Sequence, residues 1–70
     1  MKYLIVIEKT RTGFSAYCPD LPGCIATGRT RDTVQRRMKK ALEMHLEGLA
    51  SEGHKRPSPH SFSLVVDIPT

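Results

Sequence analysis

The stretch YCPDLPGC, residues 17–24, decides how this chain is organised. Two prolines in four residues, Pro19 and Pro22, withdraw two backbone donors and forbid a regular ladder, so Pro19–Gly23 is a loop. Working toward the N-terminus, Phe14–Cys18 reads as a strand. Met1–Lys9 reads as another, with Tyr3, Ile5 and Ile7 on one side and Leu4 and Val6 on the other. Thr10–Gly13 is the turn between them, with Gly13 available for a positive φ, and the pair makes a hairpin. Toward the C-terminus, Cys24–Thr27 is a short third strand closed by Gly28. Thr30 is a good helix N-cap, and Val34, Met38, Ala41, Leu42 and Leu49 follow at helical spacing. Arg36, Lys39, Lys40, Glu43 and Glu47 take the opposite side. The helix is expected from about Arg31 to Glu52, with Gly53 just past its end. Gly48 within it costs up to about 1 kcal/mol relative to alanine.

His54–His60 is a polar, proline-containing connector. Ser61–Ile68 reads as a last strand, with Phe62, Leu64, Val66 and Ile68 alternating against Ser61, Ser63, Val65 and Asp67, and Pro69 ends it. The predicted class is α+β in the order βββαβ: a small, antiparallel-leaning sheet with one helix on one face. Residues 1–70 are read as a single domain. One helix covers one sheet face, yet the first strand is apolar on both faces and Val65 adds to the second. The uncovered face is therefore expected to be an interface, and the chain a homodimer or a dimer of dimers.

Composition narrows the function. A hydrophobic fraction of 39% with 26% charged residues suits a soluble globular domain, and no apolar run approaches the roughly 20 residues that span a bilayer. The first apolar stretch, Tyr3–Ile7, is too short for a signal-peptide core, so a cytoplasmic location and no membrane partner are expected. Cys18 and Cys24 are too few for a disulfide scaffold, and their spacing is not that of a zinc knuckle, so both are expected to stay reduced. The net charge is +4, and Arg29, Arg31, Arg36, Arg37, Lys39 and Lys40 fall within twelve residues. The carboxylates Glu8, Asp20, Asp32, Glu43, Glu47, Glu52 and Asp67 are scattered over separate elements. A two-metal nuclease site needs several acids around ions about 4 Å apart, and this spacing offers none. No catalytic residue, metal or cofactor is expected. His45 reads as a core histidine with one satisfied nitrogen, and His54 and His60 as loop residues.

Three segments together resemble HicB-like antitoxins: MKYLIVIEK at the start, GFSAYCPDLPGC at 13–24 and ALEMHLEGLASEG at 41–53. The most specific piece is Y-x-P-D-L-P-G-C from Tyr17 to Cys24, followed by a threonine cap and a helix ending in L-E-G-L. The resemblance covers nearly the whole chain. It is to the antitoxin domain without the DNA-binding domain that full-length antitoxins of this type append. It implies a shortened ribonuclease H-like fold lacking the nuclease's carboxylates. It also implies the neutralising half of a toxin–antitoxin pair, whose toxin is a small ribonuclease with a double-stranded-RNA-binding-like fold. The family resemblance departs at the helix start, where many relatives are acidic and this chain reads TRDTVQRRMKK.

The best candidate for partner binding is the loop with its flanking aromatic: Tyr17, Pro19, Asp20, Leu21, Pro22 and Gly23. Two prolines preset its backbone, so it loses little entropy on binding, and Tyr17 offers a rigid anchor. The other reading is a nucleic-acid contact through Arg29, Arg31, Arg36, Arg37 and Lys40, which could meet phosphates. No aromatic side chains interleave these basic residues to stack on bases.

Overall fold

The computed structural model describes residues 1–69. The elements are β1 (Val6–Lys9), β2 (Phe14–Tyr17), β3 (Ile25–Gly28) and α1 (Arg31–Ser51). The strands form one antiparallel sheet in the order β1-β2-β3, and α1 lies on one face, mainly over β3 and β2. The class is α+β, with one helix on one face of a small antiparallel sheet.

Register follows from the side-chain alternation. Ile7, Ala16 and Ala26 form one cross-strand row, and Val6, Tyr17 and Ile25 the next, on opposite faces. The inner row is small at two of its three positions, Ala16 and Ala26, which lets the helix come close. Ala16, Cys18, Leu21, Cys24, Val34 and Met38 are buried, and Tyr3, Ile5, Ile7, Phe14, Ala26, Ala41, Leu42 and Leu46 pack around them. The approach is close at Gly28, where an added Cβ would stand 2.9 Å from the Val34 nitrogen and 3.2 Å from its Cα.

The helix begins where the sequence places it. Thr30 has an extended backbone, and its Oγ1 accepts from the Thr33 N–H at 3.1 Å, satisfying one of the free donors of the first turn. It ends in a Schellman motif around Gly53, whose φ is +79°. The His54 N–H donates to the Leu49 carbonyl at 2.9 Å, and the Gly53 N–H to the Ala50 carbonyl at 3.1 Å. Its 21 residues make a rod about 31 Å long. Four-residue strands span only about 13 Å. The second half of α1 therefore overhangs the sheet, and its fully buried residues, Val34 and Met38, both lie in the first half.

The structure corrects the sequence reading in five places. Ser61–Ile68 forms no ladder among the described residues, and Phe62 and Val65 are 90% and 95% exposed. Its alternation suits a strand, but a strand also needs a neighbouring edge, and its own chain sets none beside it. The first ladder is shorter than Met1–Lys9 because Tyr3–Ile5 pass the end of β2, although Tyr3 and Ile5 still pack on the core. Gly13 does not take a positive φ. It is needed for space, since a Cβ there would meet the Gly28 carbonyl oxygen and lie 2.9 Å from the Arg29 Cα. On α1, Leu46 packs on the core where Leu49 was expected, because Leu49 lies beyond the sheet. His45 is half-buried in the same overhang, outside the core.

Candidate partner-binding face

The loop is two consecutive turns that share Leu21. The Leu21 N–H donates to the Cys18 carbonyl and the Cys24 N–H to the Leu21 carbonyl, both at 3.1 Å. The Cys18 N–H closes the base on the Cys24 carbonyl at 3.2 Å. Each turn has proline in its second position, where a φ near −65° is required. Gly23 occupies the third position of the second turn with φ +86°, which a residue with a side chain rarely adopts. The CPDLPGC pattern is thus a pair of preset turns, not a floppy connection.

The six residues singled out around this loop divide by side. Pro19, Pro22 and Gly23 are exposed, while Leu21 and Asp20 are only 1% and 4% exposed. Leu21 plugs the core between the two cysteines. Burial, reinforced by Cys18 beside it, pushes the Cys24 thiol up, which favours the unreactive protonated form; both cysteines are free.

Asp20 turns the opposite way along the chain. Its Oδ2 accepts from the backbone N–H groups of His60 and Ser61 at 3.0 and 3.1 Å, and its Oδ1 from the Ser61 hydroxyl at 2.6 Å. The His60 Nε2 is 3.1 Å from the same Oδ1. The Ser61 hydroxyl, then the two backbone donors and the charge on His60, hold the Asp20 carboxyl below the usual carboxylate range against the opposing effect of burial. A hydrogen bond of 2.5 Å from the Tyr3 hydroxyl to the Pro57 carbonyl fixes the connector beside the start of β1. Asp20 is thereby a latch for the C-terminal segment, some forty residues away in sequence.

Tyr17 lies on the face that α1 does not cover. It is 41% exposed in the middle of the row Val6–Tyr17–Ile25, and Ile25 is 68% exposed. Leu4 and Val6 add half-buried apolar surface. The exposed corners Pro19, Pro22 and Gly23 adjoin this row through Tyr17 and Ile25. Sequence reasoning found Tyr17, Leu4 and Val6 but missed Ile25, whose signal was the alternation of large Ile25 with small Ala26 in β3. It also missed the latch. Asp20 carries no local mark of its partners, which lie on a connector distant in sequence.

Of the basic candidates, Arg36, Arg37 and Lys40 border one shallow hollow with Thr33, and Arg29 and Arg37 border a second. Arg29, Arg31, Arg36, Arg37 and Lys40 are all exposed. Two are engaged within the chain: Arg36 pairs with Asp32 at 3.2 Å, one turn away, and Arg37 donates to the Thr27 carbonyl at 3.0 Å. Among the described residues no group of three or more His, Cys, Asp or Glu side chains could hold a metal, and no helix is long and apolar enough to cross a membrane.

The geometry defines a class first: a small sheet-and-helix module with an apolar outer sheet face and a stiffened loop at its rim. Residues 3–70 match the HicB-like antitoxin of bacterial toxin–antitoxin systems, and the chain belongs to that family. A 14.9 kDa protein of Haemophilus phage HP1 is 30% identical over 99% of this chain and 52% of its own length. A UPF0150 protein of Thermoplasma acidophilum is 30% identical over 94% of this chain and 97% of its own. Among solved structures, a chain of the HicA3 and HicB3 toxin–antitoxin complex superposes with a TM-score of 0.72 at 38% identity, covering 86% of this chain and 70% of that one. The antitoxin HicB3 crystal structure gives a TM-score of 0.70 at 40% identity, with 81% and 42% covered. The chain thus spans about half the length of the phage relative and less than half of that HicB3 chain.

Proposed function

We propose that this chain binds and neutralises a small HicA-like toxin ribonuclease without catalysing a reaction itself. The observation that carries the reading is the uncovered row Val6–Tyr17–Ile25, in which Tyr17 and Ile25 are exposed, continued by Pro19 and Pro22. It is an apolar patch with an aromatic at its centre and a rim whose backbone is already set. A partner seated there would desolvate Tyr17 while ordering little new chain. Membership of an antitoxin family and the likeness to a chain of a HicA3–HicB3 complex support a toxin as that partner.

The test compares partner affinity with thermal midpoint for single substitutions. Truncating a central aromatic anchor typically costs about 2 kcal/mol or more of binding, so Tyr17→Ala should weaken the complex about thirtyfold or more while the midpoint stays close to that of the parent chain. Pro22→Ala should weaken binding by about 1 kcal/mol through added chain freedom. Titration calorimetry against a HicA-like toxin measures both, and growth rescue on co-expression reads the same effect in cells. Unchanged affinity in Tyr17→Ala would remove the outer face from the site. Affinity that collapses steeply with salt would transfer the contact to the basic residues of α1.

A further inference from the structure

Beside β1 the core is open. Because α1 lies mainly over β3 and β2, a groove of about 310 Å³ remains between β1 and the helix. Its floor and wall are Ile5, Ile7, Met38 and Leu42, with Gln35 and Lys39 at the rim. β1 is also an edge strand, so the backbone groups on its outer side have no strand partner among the described residues. An apolar groove along an unpaired edge is the arrangement that accepts an added strand.

The same chain carries a segment of matching character. Phe62, Leu64, Val66 and Ile68 alternate along the sequence and are all exposed. Seven residues from Phe62 to Ile68, extended as a strand, would span about 23 Å, the reach of Tyr3–Lys9 in the same conformation. Asp67 is the segment's one charge, opposite in sign to Lys39 at the groove rim. The segment's base is not free to swing, because Asp20 holds His60 and Ser61 by three hydrogen bonds of 2.6–3.1 Å. Beyond that latch, Phe62, Leu64, Val65, Val66 and Ile68 are all exposed. The molecule measures 50 Å along its longest axis against 26 and 16 Å across. Its radius of gyration is 13.9 Å, where a compact chain of this length has about 11 Å.

We infer that the groove beside β1 receives residues 62–68 of a second copy of this chain, the two copies exchanging these segments reciprocally. Each copy offers one strand and one groove, so a two-fold pair satisfies both and leaves neither open. The exchange places the inward side chains of the segment beside Ile5 and Ile7 and facing Met38 and Leu42. It gives β1 a hydrogen-bonding neighbour. This assembly does not depend on toxin binding, and the outer face with Tyr17 stays available.

Sedimentation equilibrium of the full chain at micromolar concentration should give twice the 7.8 kDa of one copy. In a dimer mixed from labelled and unlabelled chains, the methyl groups of Leu64 and Val66 should show contacts to Ile5, Ile7 and Leu42 of the other copy. The double substitution Leu64→Asp with Val66→Asp should return the mass to that of one copy. The helical circular dichroism should persist, because both positions are solvent-exposed within one chain. A wild-type mass of one copy, methyl contacts found only within a chain, or a dimer that survives the double substitution would each overturn the exchange. Should the double variant lose its helix, the contacts in the mixed wild-type sample decide alone.

Discussion

Residues 3–42 and residues 43–69 are made from similar amino acids but end in opposite situations. In the first region every large apolar side chain on the inner face finds a neighbour, and the sheet, the double turn and the first half of α1 close around Leu21, Val34 and Met38. In the second, Met44, Phe62, Leu64, Val65, Val66 and Ile68 are exposed. The difference lies in the availability of a surface. A four-residue strand is too short to floor a helix of 21 residues, so beyond Leu42 only Leu46, among the described residues of α1, still packs on the core. Apolar patterning specifies that a segment will be covered, and the geometry of the rest of the fold specifies by what.

The sharpest way to break this contrast is to damage the closed region. Met38→Ala removes a side chain 1% exposed at the centre of the core and should cost about 2–5 kcal/mol, enough to unfold much of so small a domain. Thermal denaturation followed by circular dichroism measures it. The same substitution at Met44, 64% exposed on the overhang, should stay within about 0.5 kcal/mol of the parent chain. Comparable losses at the two positions would show that the overhang is packed after all.

Gly28→Ala tests the closeness of helix and sheet. The new methyl would stand 2.9 Å from the Val34 nitrogen, and backbone cannot move aside as a flexible side chain does. Overpacking of this kind typically costs about 1–3 kcal/mol, again read as a fall in midpoint. A neutral result would mean that α1 can slide along β3.

The smallest expected effect concerns the joint between the two regions. The Asp20 carboxyl is held below the ordinary carboxylate range, so its ionised form is favoured in the folded chain. The latch is therefore fully present above the unfolded value of about 3.9 and is lost as pH falls through the lower folded value. The side-chain carboxyl carbon resonance of Asp20, followed by NMR, should take its main step below the ordinary carboxylate value, where the carboxyl gains its proton. The body of the domain should keep its core resonances while the latch opens. A transition at neutral pH would contradict the assignment of the latch to Asp20.

Much of this molecule is determined by its sequence. Thr30 caps and Gly53 terminates α1 because each supplies a local need, a side-chain acceptor in one case and a positive φ in the other. The double turn at 18–24 follows from proline and glycine standing where the turns demand them, and the alternation around Ala16 assigns the buried face of the hairpin. These are short-range effects, legible from residues a few positions apart. The candidate face was only partly legible. Tyr17 stood out as an aromatic beside a stiff loop, but its placement in a row with Val6 and Ile25 depends on strand register across the sheet. Three features came only from the tertiary structure: the inward turn of Asp20 to hold His60 and Ser61, the open groove beside β1, and the unpaired state of residues 61–68. Each depends on which distant surfaces meet, and a pattern of apolar and polar residues encodes the need for a neighbour without encoding its identity.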